Sequence, residues 1–114
     1  SGDVKREGRE LEVTCYRNLS AVYFQTGEYA RALEAADKAL NLSPDDAKAH
    51  VRRAQALAEL GRIGDAKDAY LRAKKLEPEN TSIVAMMQKF QPKFDAWNAE
   101  QDKKARAAFA GKLL

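Results

Sequence analysis

The chain has 114 residues, of which 32% are charged and 45% hydrophobic, and its formal net charge is +3. This balance is typical of one small folded domain and argues against a disordered chain. No apolar run approaches the roughly 18 residues that a membrane-spanning helix needs, and the small net charge gives no indication of nucleic-acid binding. We therefore predict neither a membrane partner nor a nucleic-acid partner.

The cysteine content indicates the cellular compartment, and the charged residues are unevenly distributed along the chain. Cys15 is the only cysteine, so no internal disulfide can form, which fits the cytoplasm, with the nucleus as an alternative. We expect this thiol to pack as a small hydrophobic group. Residues 1–46 carry six basic and nine acidic side chains, whereas residues 47–114 carry fourteen and eight. The chain opens Ser-Gly without a methionine, so we expect a tag remnant on a fragment of a longer protein.

The predicted helices follow a spacing of thirty-four residues. The recurring residues are Gly27 and Gly61, Ala32 and Ala66, Ala35 and Ala69, Ala39 and Ala73, Leu42 and Leu76, and Pro44 and Pro78. In chain order we predict helices over about 3–26, 29–41, 47–60 and 63–76, with the two glycines ending the first and the third. A fixed period of this length is typical of a helical array whose units share one core.

The last segment does not repeat. Apolar residues continue at steps of four and three through Ile83, Met87, Phe90, Phe94 and Trp97. This stripe predicts one long helix from Thr81, with Pro92 as the position where it would kink, whose first half caps the array. Beyond the tryptophan the stripe thins, so we expect the final turns to project into solvent.

The two units resemble the tetratricopeptide repeat (TPR). The first carries Tyr16-x-x-Leu19-Ser20-x-x-Tyr23 and the second keeps the repeat's small residues, although His50 and Arg53 replace large apolar residues. The resemblance implies an all-α TPR helical array, an α-α superhelix, with a long C-terminal capping helix. The implied units are an N-terminal extension left from a preceding repeat (1–12), two repeats (13–46 and 47–80) and the cap (81–114).

Three polar residues fall in register on the helices that would line the groove. Asn18 and Arg52 are one period apart, and Lys48 lies one helical turn before the arginine. A guanidinium fork, an ammonium and an amide together suit a carboxylate. The sequence therefore predicts a carboxylate-binding patch at these residues.

At the segments Cys15–Ser20 and Lys48–Ala54 the chain resembles TPR co-chaperones with a carboxylate clamp, which hold the acidic C-terminal tail of heat-shock protein 90 or 70. The Lys- and Ala-rich last helix is similar to that of large immunophilins, the TPR-bearing FK506-binding proteins and cyclophilins. The family clamp has five residues, and its first repeat supplies two that have no counterpart here. The resemblance thus implies a partial clamp of Asn18, Lys48 and Arg52.

Several alternatives stay open at this point. A structural TPR scaffold could bind a folded protein or form a homodimer through an exposed apolar flank on residues 10–24. Basic residues around Phe109 are typical of a calmodulin target, but a solvated helix end fits them better. We expect no enzyme, cofactor or metal site, since His50 is the only histidine and no phosphate loop occurs. Any prolyl isomerase domain would lie outside this chain.

Overall fold

The computed structural model of the protein describes residues 2–113, which form five α-helices. They are α1 (Gly2–Gln25), α2 (Tyr29–Leu42), α3 (Ala47–Glu59), α4 (Ile63–Leu76) and α5 (Thr81–Leu113). Ser1 of the predicted extension and Leu114 of the predicted cap lie outside the described residues. The predicted all-α fold is confirmed, and the helices begin and end close to the predicted positions.

Glycine-marked turns join the helices within each pair. Gly27 and Gly61 both have a φ of 80°, the left-handed conformation that side chains disfavour. In both turns the amide of the residue after the glycine donates to the carbonyl of the residue five positions before its own, at 2.8 and 2.9 Å. This is the Schellman arrangement, which satisfies carbonyls that the helix end leaves open. The short turns make α1 and α2, and then α3 and α4, antiparallel neighbours.

Small residues line the contacts between the helices. Seven alanines on α2 and α4 are at most 4% exposed: Ala32, Ala35, Ala36, Ala39, Ala66, Ala69 and Ala73. Without bulky side chains there, the helix backbones can approach closely. Ser20 is also buried, and its hydroxyl donates to the carbonyl of Ala32 at 2.7 Å. That bond satisfies the one polar side chain at this helix contact.

The long helix α5 covers the C-terminal end of the array, as predicted. Phe90 is buried, and its ring centroid lies 5.1 Å from that of Tyr70 on α4. Further along, Trp97 lies against Gly64, where an added Cβ would come within 3.0 Å of the indole. The helix continues through Pro92. After Trp97 nearly all described side chains are exposed, which confirms the prediction that the final turns project into solvent.

The opposite end of the array presents an exposed apolar face on α1. Leu11, Leu19 and Val22 are 67%, 40% and 54% exposed, and Cys15 on the same face is exposed too. The prediction that this cysteine packs as a small hydrophobic residue is therefore wrong. Its side chain lies on a side of α1 that no other helix among residues 2–113 covers.

Candidate functional site

A cavity of about 360 Å³ lies where α1, α3 and the beginning of α5 meet. Its charged lining comes from α1 and α3, whereas α5 and the turn before it supply the polar residues Asn80 and Ser82 and most of the apolar wall. The lining residues include Arg17, Asn18, Lys48, Arg52, Ile83 and Met86. All three predicted carboxylate-binding residues thus line one cavity.

The repeat geometry explains why these residues meet. Helices α1 and α3 contact each other directly, so residues one period apart come from neighbouring helices. The start of α3 is fixed by Asp46, whose Oδ1 accepts the backbone N–H of Ala49 at 2.9 Å. This N-cap satisfies an amide that the helix leaves unpaired. Lys48 lies in the first turn after the cap, and Arg52 lies one turn further along the same face.

The donors in the cavity are largely unengaged. Within residues 2–113, the Lys48 ammonium and the Asn18 amide make no side-chain hydrogen bond or ion pair, and both side chains are exposed. Arg52 is half-buried and makes one long contact, from Nη1 to the Gln55 Oε1 at 3.4 Å. Most of its guanidinium donors therefore stay available. An anion that entered the cavity would not need to displace an internal partner.

Arg17 is a cavity residue that the sequence pattern does not identify. Adjacent helical residues project about 100° apart, so the register that places Asn18 in the groove does not extend to Arg17. Its Nη1 donates to the Asp46 Oδ2 at 2.8 Å, and the two side chains are 21% and 14% exposed. The signal available in the sequence is an arginine beside the asparagine and an aspartate before the next groove helix.

Arg53, by contrast, does not line the cavity. Its Nε donates to Asp37 Oδ1 on α2 at 2.9 Å, and both side chains are partly exposed. The arginine that departs from the large apolar residue preferred in the repeat thus joins α3 to α2. Its partner is another helix of the array, whereas Arg52 keeps its guanidinium at the cavity.

The groove continues along α3 and α5 beyond Met86. A second cavity of about 380 Å³ shares that methionine and includes Glu59, Tyr70, Lys89 and Phe90. Burial raises the pKa of the Tyr70 phenol above its usual 10.0, and the negative charge of Glu59 raises it further. Both effects disfavour the phenolate.

The arrangement favours anion binding over other chemistry. Three cationic side chains and the amides of Asn18 and Asn80 line the first cavity, and its lining includes no carboxylate. Among residues 2–113 there is no cluster of three or more His, Cys, Asp or Glu side chains suited to a metal ion. Across the same residues no helix is both long and apolar enough to cross a bilayer.

The paired helices and the groove between them define a helical-repeat binding protein. The sequence profile of the tetratricopeptide repeat family matches residues 23–90, and the chain belongs to this family. The Hsp70/Hsp90 co-chaperone CNS1 of Saccharomyces cerevisiae is 29% identical over 106 residues, which cover 92% of this chain and 28% of that protein. The chain therefore spans less than a third of that relative's length.

Two solved structures are similar to this fold. The C-terminal TPR-containing domain of a Plasmodium falciparum FK506-binding protein superposes with a TM-score of 0.73 and 24% identity, over 80% of this chain and 60% of that one. The first TPR of Spaghetti (RPAP3) bound to the HSP90 peptide SRMEEVD has a TM-score of 0.68 and 26% identity, over 74% and 68%. The predicted resemblance to co-chaperone TPR domains is confirmed.

Proposed function

We propose that this chain is the protein-interaction module of a co-chaperone and that it binds the acidic C-terminal tail of heat-shock protein 90 or 70. The observation that carries this proposal is the meeting of Asn18, Lys48 and Arg52 in one cavity with unengaged donors. The similarity to a TPR domain bound to an HSP90 peptide supports the same ligand class. The three residues form a partial carboxylate clamp.

The chemistry of the donors assigns a role to each residue. Arg52 offers a planar fork to both oxygens of the terminal carboxylate, and Lys48 adds a positive charge one turn away. The Asn18 amide donates from the facing helix, so the carboxylate is held from two sides. Charge-assisted hydrogen bonds of this type each contribute about 1.5–3 kcal/mol.

Binding of the peptide SRMEEVD, measured by calorimetry, tests the proposal. Arg52→Ala should weaken binding about tenfold or more, because it removes both charge and hydrogen bonds. Lys48→Glu should abolish detectable binding, since it replaces a cation that contacts the ligand carboxylate with an anion that repels it. Arg72→Ala is the matched control, because that arginine lies outside the cavity and pairs with Asp45.

The same peptide with a C-terminal amide gives the decisive comparison. It keeps every side chain and lacks only the terminal carboxylate, so wild-type protein should bind it at least about tenfold more weakly. Equal affinity for the acid and the amide, or unchanged affinity in the Arg52→Ala variant, would rule out the clamp.

Self-association is a second candidate function, favoured by the exposed apolar face that carries Leu11, Leu19 and Val22 on α1. The predicted flank of residues 10–24 includes all three. A second copy placed on this face would remove them from water. Sedimentation velocity over a wide concentration range tests this: a dimer should form and should disappear in a Leu11→Asp, Val22→Asp double variant. A strict monomer at the highest concentration would exclude it.

Three further predictions rest on the resemblance and the composition. The cytoplasm fits a protein of this class, with the nucleus as the alternative. Calmodulin binding would use the exposed basic end of α5, where Phe109 is 64% exposed. A catalytic role is not expected of this chain, and prolyl isomerisation would belong to a separate domain of a longer protein.

A further inference from the structure

Ser82 is a cavity residue that carries no charge and has no part in the partial clamp. It lies in the first turn of α5 and lines the first cavity together with Lys48 and Arg52. The residue is exposed, and its hydroxyl makes no hydrogen bond within residues 2–113. A free hydroxyl on an exposed residue therefore shares one cavity with two cations of the clamp.

The backbone of Ser82 is held in place by the residues beside it. Asn80 precedes α5, and its Oδ1 accepts the backbone N–H of Ser82 at 3.0 Å. Ile83 is only 3% exposed and belongs to the same buried cluster as Val51 of α3. The first turn of α5 is thus packed against the helix that carries two of the clamp residues.

The cations of this cavity have donors to spare for an anion on Ser82. Lys48 makes no ion pair within residues 2–113, and Arg52 makes only the long contact to Gln55. No carboxylate is among the lining residues. A phosphoserine carries a charge of about −1.5 to −2 at pH 7 and three acceptor oxygens. Such a group pairs strongly with guanidinium and ammonium donors.

The segment before Ser82 suits recognition by a kinase. Glu77, Pro78 and Glu79 lie in the turn between α4 and α5, and all three are exposed. Glu79 is three positions before the serine. These side chains fit a serine kinase whose substrate groove is basic and selects acidic residues before its target. A phosphate in the first turn of a helix is also favoured by the helix dipole.

We propose that Ser82 is a phosphorylation site and that its phosphate competes with an acidic peptide for Lys48 and Arg52. This inference rests on the proposed function, because it concerns the regulation of the same site. The kinase transfers the γ-phosphoryl group of ATP to the Ser82 Oγ. An O–P bond forms there, the bond from the γ-phosphorus to the bridging oxygen breaks, and ADP leaves. The hydroxyl proton passes to a base of the kinase.

Peptide binding by a chain with phosphoserine incorporated at position 82 tests the competition. In calorimetry with SRMEEVD, the phosphorylated chain should bind at least about tenfold more weakly than the unmodified chain. Affinity equal to that of the unmodified chain would overturn the proposal. Circular dichroism accompanies the measurement. Loss of helical signal on phosphorylation would also overturn the proposal, because a phosphate on this exposed hydroxyl should leave α5 intact.

Phosphorylation at Thr81 is the matched control. Thr81 is exposed and lies next to Ser82 at the same helix end, but it does not line the cavity. It adds the same charge to the chain, so it separates occupation of the cavity from a change in net charge. The affinity for SRMEEVD should stay within about threefold of the unmodified value. An equal loss at both positions would overturn occupation of the cavity.

Phosphorus NMR without any peptide tests the contact directly. The second pKa of phosphoserine is about 6, and cations beside the phosphate should lower it because they favour the dianion. In the chain phosphorylated at Ser82, Arg52→Ala should therefore raise this pKa. In the chain phosphorylated at Thr81, the same substitution should leave it unchanged. A pKa at Ser82 that does not respond to Arg52→Ala would overturn the proposal.

A kinase reaction tests whether the hydroxyl is an acceptor. The unmodified chain is incubated with ATP and a serine kinase that selects acidic residues before its target, and mass spectrometry locates the phosphate. We expect it on Ser82, and its absence there would overturn the assignment. If the unmodified chain does not bind SRMEEVD, the proposed function fails, whereas the NMR titration still tests the contact. If Arg52→Ala loses binding while phosphorylation of Ser82 does not weaken it, only the present inference fails.

Discussion

The two ends of the helical array differ in whether another helix covers them. At the C-terminal end, α5 packs on α4 and leaves Phe90 only 5% exposed. At the other end, the outer face of α1 leaves Leu11 at 67% exposure and Val22 at 54%. Both faces carry apolar residues at helical spacing. Apolar residues at helical spacing therefore do not form a core by themselves, because they are buried only where another helix packs over them.

This difference decides where the stability of the chain resides. Burying apolar surface contributes about 25 cal/mol per Å², so a covered aromatic residue contributes several times more than an exposed aliphatic one. At the C-terminal end, Tyr70 and Phe90 belong to the same cluster of buried hydrophobic residues. We expect α1 before Val13 to contribute little to the free energy of unfolding, because most of its side chains are exposed.

Truncating one apolar side chain at each end gives the largest predicted contrast. Phe90→Ala should lower the free energy of unfolding by about 3–5 kcal/mol, because it removes buried surface and leaves a cavity. Leu11→Ala should change it by less than about 0.5 kcal/mol, because the leucine is mostly in water already. Urea denaturation followed by circular dichroism measures both. A similar cost at both positions would mean that something covers α1 in solution.

Adding bulk to a glycine at each end should give the next largest effect. A Cβ at Gly64 would lie 3.0 Å from the Trp97 indole, whereas nothing lies within 4 Å of a Cβ at Gly8. Gly64→Val should therefore cost about 1–3 kcal/mol through overpacking. Gly8→Val should stay within about 0.5 kcal/mol of wild type.

Trp97 is the only tryptophan, so its fluorescence reports directly on the covered end. Its emission should shift in Gly64→Val and stay unchanged in Gly8→Val. An unshifted emission maximum together with unchanged stability in Gly64→Val would mean that α5 does not pack on α4 at this point.

Most of the fold could be predicted from the sequence because its signals are local and repeated. The left-handed turns needed Gly27 and Gly61, and the shared period placed four helices at once. The exposure of Cys15 could not be predicted in this way. Its spacing fits an apolar stripe, but whether a stripe is buried depends on which helix lies beside it, and that is a property of the assembled array.

The residues of the candidate site also fall into those that the sequence predicts and those that it does not. Asn18, Lys48 and Arg52 share a register, so the thirty-four-residue period is enough to place them on neighbouring helices. The thirty-four-residue period does not identify Arg17 or Met86 as cavity residues. The arginine side chain is paired with Asp46, and the methionine comes from a helix that does not repeat. Contacts of this kind depend on side-chain conformation and tertiary packing.

Alkaline titration of Tyr70 provides a smaller effect that is confined to the covered end. The pKa of its phenol is raised above 10.0 in the folded protein, so the unfolded chain releases the proton first as the pH rises. The contribution of this phenol to the free energy of unfolding is fully present below about pH 10 and decreases as the pH rises above it. Tyr70→Phe should therefore lose less stability than wild type between about pH 8 and about pH 11.

Glu59→Gln serves as a second variant in this experiment. Its neutral side chain removes the smaller of the two causes of the shift, so its alkaline loss should lie between those of wild type and Tyr70→Phe. Identical alkaline losses in wild type and Tyr70→Phe would indicate that the phenol is not buried against α5.

The smallest predicted change in stability concerns Cys15 at the uncovered end. Cys15→Ser should alter the free energy of unfolding by less than about 0.5 kcal/mol, because the side chain is exposed. In the wild-type protein the thiol should react with a disulfide reagent nearly as fast under native conditions as in urea. Ala36→Cys in the Cys15→Ser background is the matched control, since Ala36 is fully buried and a thiol there should react only after the helices separate.

The dependence of this reaction on protein concentration tests the exposed face itself. In a monomer, the rate constant for Cys15 stays the same at every concentration. In a dimer formed through α1, the rate constant falls as concentration rises, because the second copy covers the thiol. Protection of Cys15 that is independent of concentration would contradict the contrast between the two ends, since it would mean that α1 is covered within a single chain.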